Sequence, residues 1–164
     1  GRVATDALQR LQATGDATRV LSAIGTRALQ NERMDQAVQW LRLAVTSSKT
    51  PDPSLLNNLA LALIRTGNPE QHSEALTLAT KAVQLLPDNH YLLTTRAEVY
   101  IAMGNLQLAR QDLQRAQELR PNFPEIFDLL ARICRAEGDG GHLVVPVGFV
   151  ERRHRKVPPT CLPE

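Results

Sequence analysis

The stretch Asn89–Pro121, NHYLLTTRAEVYIAMGNLQLARQDLQRAQELRP, reads as two amphipathic helices joined by a short turn. In its first half Leu92, Leu93, Arg96, Ala97, Tyr100 and Ile101 recur at three- and four-residue spacing, which lays them along one helical stripe. Gly104 and Asn105 stop that helix, because glycine enters the left-handed cap conformation without a side-chain clash. The second half carries Leu106, Leu108, Ala109, Leu113, Ala116 and Leu119 on its apolar side and ends before Pro121. A helix pair this short cannot bury both apolar faces by itself, so it requires copies of itself on either side.

The copies are present. Ala109, Leu113, Ala116 and Pro121 are echoed 34 residues earlier by Ala75, Ala79, Ala82 and Pro87, and Ala37, Leu41 and Ala44 stand a further 38 upstream. The first-helix pattern recurs as Leu21, Ile24, Gly25; Leu56, Leu59, Ala60; Leu93, Arg96, Ala97; and Phe127, Leu130, Ala131. Turn glycines Gly67, Gly104 and Gly138 fall at matching places. This pattern resembles the tetratricopeptide repeat family, with its period of about 34 residues and two helices per repeat. The family's small residues lie where two helices come closest: here Gly25, Ala60, Ala97 and Ala131 in the first helices, Ala37, Ala75 and Ala109 opening the second. The departures are local. Arg96 sits where a leucine is usual, Glu32 replaces a turn glycine, Lys49 replaces a closing proline, and about three extra residues, Pro69 to Gln71, lengthen one turn.

The resemblance implies an all-α fold, a right-handed α-α superhelix of about three and a half helix-turn-helix repeats over residues 18–139. Helices are expected at about Thr18–Leu29, Asp35–Val45, Ser54–Thr66, His72–Leu85 and Pro124–Glu137, besides the pair in the opening stretch. Residues 1–17 contain an amphipathic stretch with Val3, Ala7, Leu8 and Leu11 on one face, read equally well as the end of a preceding repeat or as a capping helix. After Asp139 the pattern fails. Gly140, Gly141, Pro146, Gly148, Pro158, Pro159 and Pro163 argue against a long helix, so residues 140–164 are expected to be an extended or disordered tail, laid back onto the repeats or foreign to them.

Charge and motifs narrow the function. The fifteen Lys/Arg and fifteen Asp/Glu of residues 1–141 cancel, so the net +2 resides in the tail, where Arg152, Arg153, His154, Arg155 and Lys156 cluster. A neutral repeat array argues against nucleic-acid binding, which needs a concentrated basic face, and the tail cluster lacks aromatics for stacking. The GDGG of residues 138–141 lacks the lysine and helix of a phosphate loop, and His72, His90, His142 and His154 are too dispersed for a metal. No enzyme activity, cofactor or metal is expected, and no run is long enough to span a membrane. Cys134 reads as core packing, and Cys161 lies among prolines. The chain begins without methionine and reads as a fragment, with the cytoplasm the favoured compartment.

The resemblance implies that a protein or peptide partner binds in a concave groove lined by the first helices. Opposite the packing stripe these present Arg19, Ser22, Thr26 and Leu29; Asn57, Asn58, Leu61, Ile64 and Arg65; Tyr91, Thr94, Glu98 and Ile101; and Asp128, Arg132 and Arg135. Asn57 and Asn58 can hold a peptide's amides, because a carboxamide both donates and accepts, while Leu61, Ile64 and Ile101 support apolar side chains. The clamp by which co-chaperone members hold a terminal carboxylate is not matched. Its places are taken by Ser22, Thr26, Asn58, Tyr91 and Thr95, of which Asn58 alone fits. Two alternatives are a regulatory arm of a larger enzyme and a self-associating unit. The second supposes that the unfinished last repeat exposes Ile126, Leu130, Ile133 and Cys134, giving a homo-oligomer through open ends.

Overall fold

The computed structural model describes residues 17–137. Seven α-helices follow one another: α1 Ala17–Gln30, α2 Met34–Ser47, α3 Pro53–Arg65, α4 His72–Leu85, α5 His90–Ala102, α6 Leu106–Leu119 and α7 Pro124–Ala136. The segments read as a leading helix and a tail, together with Gly138, the basic cluster and Cys161, lie outside the described residues. The fold is all-helical there, built of hairpins α1–α2, α3–α4 and α5–α6 with α7 as a further first helix. The chain falls into two compact units that part between Pro87 and Asp88.

Local chemistry sets the helix ends. Asp52 caps α3, its carboxylate accepting from the Leu55 amide at 2.9 Å, with Pro53 at the first helical position, where no amide is needed. Asn89 caps α5 in the same way, accepting from Tyr91 at 3.0 Å. At the end of α5, Gly104 adopts φ +76°, and the Asn105 amide reaches back to the Tyr100 carbonyl at 2.8 Å, which closes the orphan carbonyls. The α1–α2 turn repeats this closure with Glu32 at φ 58° and the Arg33 amide on the Ala28 carbonyl at 2.9 Å. The substitution read in the sequence has kept the turn and not its usual residue.

In the first unit α1 packs on α2 and α3, and α3 packs on α2 and α4. The small residues sit at the crossings: Ala37, Ala60 and Ala75 are fully buried. At Gly25 a Cβ would stand 2.6 Å from the Leu41 Cγ and 3.0 Å from its amide nitrogen, closer than carbon atoms pack. The extra residues Pro69–Gln71 form one turn of 3-10 helix capped by Asn68, outside the hairpin they lengthen.

In the second unit α5 packs on α6 and α7, and α6 on α7. The buried stripe of α6 is Ala109, Asp112, Leu113 and Ala116. Leu108, expected on the apolar side, is 44% exposed, because it lies about 100° round the helix from Ala109. Ile24 of α1 is likewise exposed, off the stripe of Leu21, Gly25, Ala28 and Leu29. The last helix corrects a further expectation. Ile126, Leu130, Ile133 and Cys134 are buried within the single chain, at 0 to 7% exposure, and offer no open apolar face for a second copy.

Candidate peptide-binding surface

In the first unit the residues expected to meet a partner divide by depth. Asn58, Leu61 and Arg65 reach the surface of α3, whereas Asn57 and Ile64 are buried at 8% exposure each. At 100° per residue the five residues of α3 span about 120°, with Asn57 and Ile64 together at one edge, and that edge turns inward. The Asn57 Oδ1 is buried without a hydrogen-bond partner among the described residues. Asn58 is already engaged: its Nδ2 donates to the Thr26 Oγ1 at 3.1 Å, tying α3 to α1. Leu29, placed on the same wall in α1, is buried.

In the second unit Tyr91, Glu98 and Ile101 run along α5, and Asp128 and Arg132 along α7. Tyr91 and Asp128 are exposed, and Ile101 is half-buried. Thr94 is buried, its hydroxyl donating to the Tyr91 carbonyl one turn back at 2.9 Å. The Arg132 guanidinium donates to the Glu98 carboxylate at 3.3 Å, across one repeat length of sequence. That pair sets the exposed stripes of α5 and α7 side by side on one surface. Of the residues expected on this wall, Glu98 and Arg132 are brought into contact.

Two features escaped the sequence reading. Arg96, at the usual leucine position, forms a two-pronged ion pair with Asp112, both bonds at 2.7 Å, and lies 5.9 Å from the Tyr100 ring centre. The hydrogen bond to Asp112 raises the Arg96 pKa above its ordinary value, against the opposing effect of burial. The signal was an arginine on an apolar stripe with an aspartate on the facing one. The second feature is a cluster of rings at the start of α5. His90 lies 4.1 Å from Tyr91 and 4.7 Å, edge-on, from Phe123. Burial lowers the His90 pKa from 6.5, the Arg120 charge lowers it further, and Glu125 opposes both.

No group of three metal-ligating side chains occurs among the described residues, and no described helix is long and apolar enough to cross a membrane. Helices α5 and α7 present a phenol ring, a carboxylate, an ion pair and a half-buried isoleucine.

Comparison with known proteins agrees with the architecture. The family model of the tetratricopeptide repeat matches residues 69–133. Similar solved structures include the first such domain of human RPAP3, at 24% identity over 73% of this chain and 91% of that one, with a TM-score of 0.63. Another is the corresponding domain of Arabidopsis OM64, at 18% identity over 73% and 96%, with a TM-score of 0.64. A third is the first domain of Spaghetti (RPAP3) bound to the HSP90 peptide SRMEEVD, at 24% identity over 73% and 92%, with a TM-score of 0.62. No curated protein matches the sequence. Repeated helix hairpins and small residues at their crossings thus go with a tetratricopeptide repeat match over residues 69–133 and with the all-helical fold of the solved repeat domains.

Proposed function

We propose that the chain is a non-catalytic interaction module that holds a peptide or protein segment against its first helices. The Glu98–Arg132 pair carries this reading, because it aligns two successive first helices so that Tyr91, Ile101 and Asp128 share one accessible wall. A similar domain has been solved with a peptide bound, which supports the choice of ligand class. The chain's own residues set the partner apart from a terminal carboxylate. Ser22, Thr26, Tyr91 and Thr95 supply no positive charge where such a clamp needs it, and Asn58 is bonded to Thr26. An internal, extended segment suits the wall better, gripped by an aromatic ring and polar groups.

The test is binding to an immobilised array of extended peptides by the whole chain and by a Tyr91→Ala/Asp128→Ala variant. Asp128 is exposed, while the Tyr91 ring also rests against His90 and Phe123, so the variant should remain folded and melt only slightly lower, by about 1 kcal/mol of stability. Its affinity for any captured peptide should fall by about tenfold or more. Unchanged capture by the variant would place the partner elsewhere.

A further inference from the structure

Helix α1 carries a charge where the other first helices carry none. Counted in the repeat register, the place of Arg27 is filled by Ala62 in α3, Val99 in α5 and Ile133 in α7, and all three are fully buried. Arg27 is exposed, and so is Ile24 one turn before it, at 42%, where Leu59 and Leu130 are buried. An arginine is costly to bury against apolar side chains, so this face of α1 is not built to be covered as its counterparts are. It lies about 150° round the helix from Arg19, Ser22, Thr26 and Leu29, the residues read as wall.

That face is one side of a cleft of about 400 Å³ between α1 and α2. Ile24, Arg27 and Asn31 edge it on α1 at steps of three and four residues, and Arg33, Gln36 and Trp40 edge it opposite at the same steps. The two helices pack together across a short turn and so run antiparallel. Trp40, half-buried, therefore belongs with Ile24 at an apolar end, while Arg27, Asn31, Arg33 and Gln36 gather toward the turn. Neither guanidinium has an ion pair among the described residues, and no described carboxylate lines the cleft. One end thus offers an indole and an isoleucine, the other two positive charges and two carboxamides.

We propose that this cleft is a second docking site, for an acidic polypeptide segment that seats a leucine or phenylalanine side chain at Ile24 and Trp40 and sets carboxylates against Arg27 and Arg33. The two unmatched guanidiniums decide the sign of the ligand's charge. The openness of the cleft decides its source. Ile24, Arg27, Asn31, Arg33 and Gln36 are all exposed, so a free small anion would stay largely wet, whereas sites for small molecules bury most of their ligand. A polypeptide can lie across an open cleft and be held elsewhere along its length. From Ile24 to Asn31 the helix rises about 10 Å, which an extended chain covers in about three residues. The acidic residues should accordingly stand about two to four places from the apolar one. The inference does not depend on the wall of α5 and α7.

Trp40 is the one tryptophan of the chain and lines the site, so its emission reports occupancy directly. The whole chain is titrated with three blocked peptides: acetyl-SDEDSLSDEDS-amide, its neutral counterpart acetyl-SNQNSLSNQNS-amide, and acetyl-SDEDSGSDEDS-amide, which lacks the apolar anchor. The first should give a saturable change in Trp40 emission, and each of the others should bind about tenfold more weakly or less. In an Arg27→Gln/Arg33→Gln variant both altered side chains are exposed, so helix content should be kept. Its affinity for the acidic leucine peptide should fall by about tenfold or more, while the neutral peptide should bind it as it binds the native chain. No saturable response to the acidic leucine peptide, or equal affinity in the double variant, would overturn the proposal. Emission that shifts with protein concentration alone, together with a dimer in light scattering, would give the cleft to a second copy. In the free chain, a Trp40 shielded from acrylamide like a fully buried indole would give it to the protein's own residues. Either of those results also sinks the idea.

Discussion

Glu32 and Arg96 are the two residues at which this chain departs most plainly from its own repeat, and each departure has a measurable energy. Glu32 holds φ 58° in a turn closed by the same backbone bonds that Gly104 closes at φ +76°. A side chain in that left-handed conformation costs about 1 kcal/mol more than glycine does. Glu32→Gly should therefore raise the stability of the first unit by about 1 kcal/mol, read as a higher denaturant midpoint by Trp40 fluorescence with an unchanged slope. Arg96 and Asp112 are a mostly buried pair, with side chains 19% and 10% exposed. Removing one partner strands the other: Asp112→Ala should cost roughly 2–3 kcal/mol. Replacing both with leucine should recover most of that loss, because the ions then no longer need to be desolvated. His90 gives a pH signature. Its folded pKa lies below the unfolded 6.5, so the unfolded chain binds the proton more readily as pH falls through 6.5. The second unit should thus lose stability from pH 7 to pH 5 more steeply in the native chain than in a His90→Phe variant, followed by amide exchange in α5 to α7.

At the level of helices, the crossings decide what the sequence can reveal. Ala109 is fully buried where α6 opens, while Gln111 two residues on is exposed. Ala109→Leu should overpack that crossing at a cost of about 1–3 kcal/mol, and Gln111→Leu should change stability by less than about 0.5 kcal/mol, both read from denaturant midpoints. Helix boundaries were legible because caps are local: Asp52, Asn89, Gly67 and Gly104 act within a few residues of themselves. The repeat register was legible because small residues recur at its crossings. The Arg96–Asp112 pair was not, since it joins positions 16 residues apart whose facing depends on how two helices cross. The same limit misplaced Leu108. An apolar residue next to a stripe looks like part of it until the crossing shows that Asp112 has taken the buried place. On the wall, Asn57 and Ile64 were assigned to the surface by spacing alone, and neighbouring helices bury them.

For the molecule as a whole, polar stitches along the first helices accompany the apolar packing. Thr26 to Asn58 and Glu98 to Arg132 each join consecutive first helices, 32 and 34 residues apart, inside their own unit. Arg42 to Glu74 joins the second helices α2 and α4, and Arg110 of α6 pairs with Glu137 at the end of α7. Such links are worth little singly at a solvated surface, but they fix the register in which the walls align.

The 3-10 turn at Pro69–Gln71 has a practical consequence of its own. Three added residues were absorbed there as a self-contained, capped bulge, with Pro69 and Glu70 in solvent and the α3–α4 crossing intact around Ala60 and Ala75. A site that has already swallowed an insertion is a natural splice point, suited to an epitope, a dye-bearing cysteine or a second binding loop grafted between Asn68 and His72.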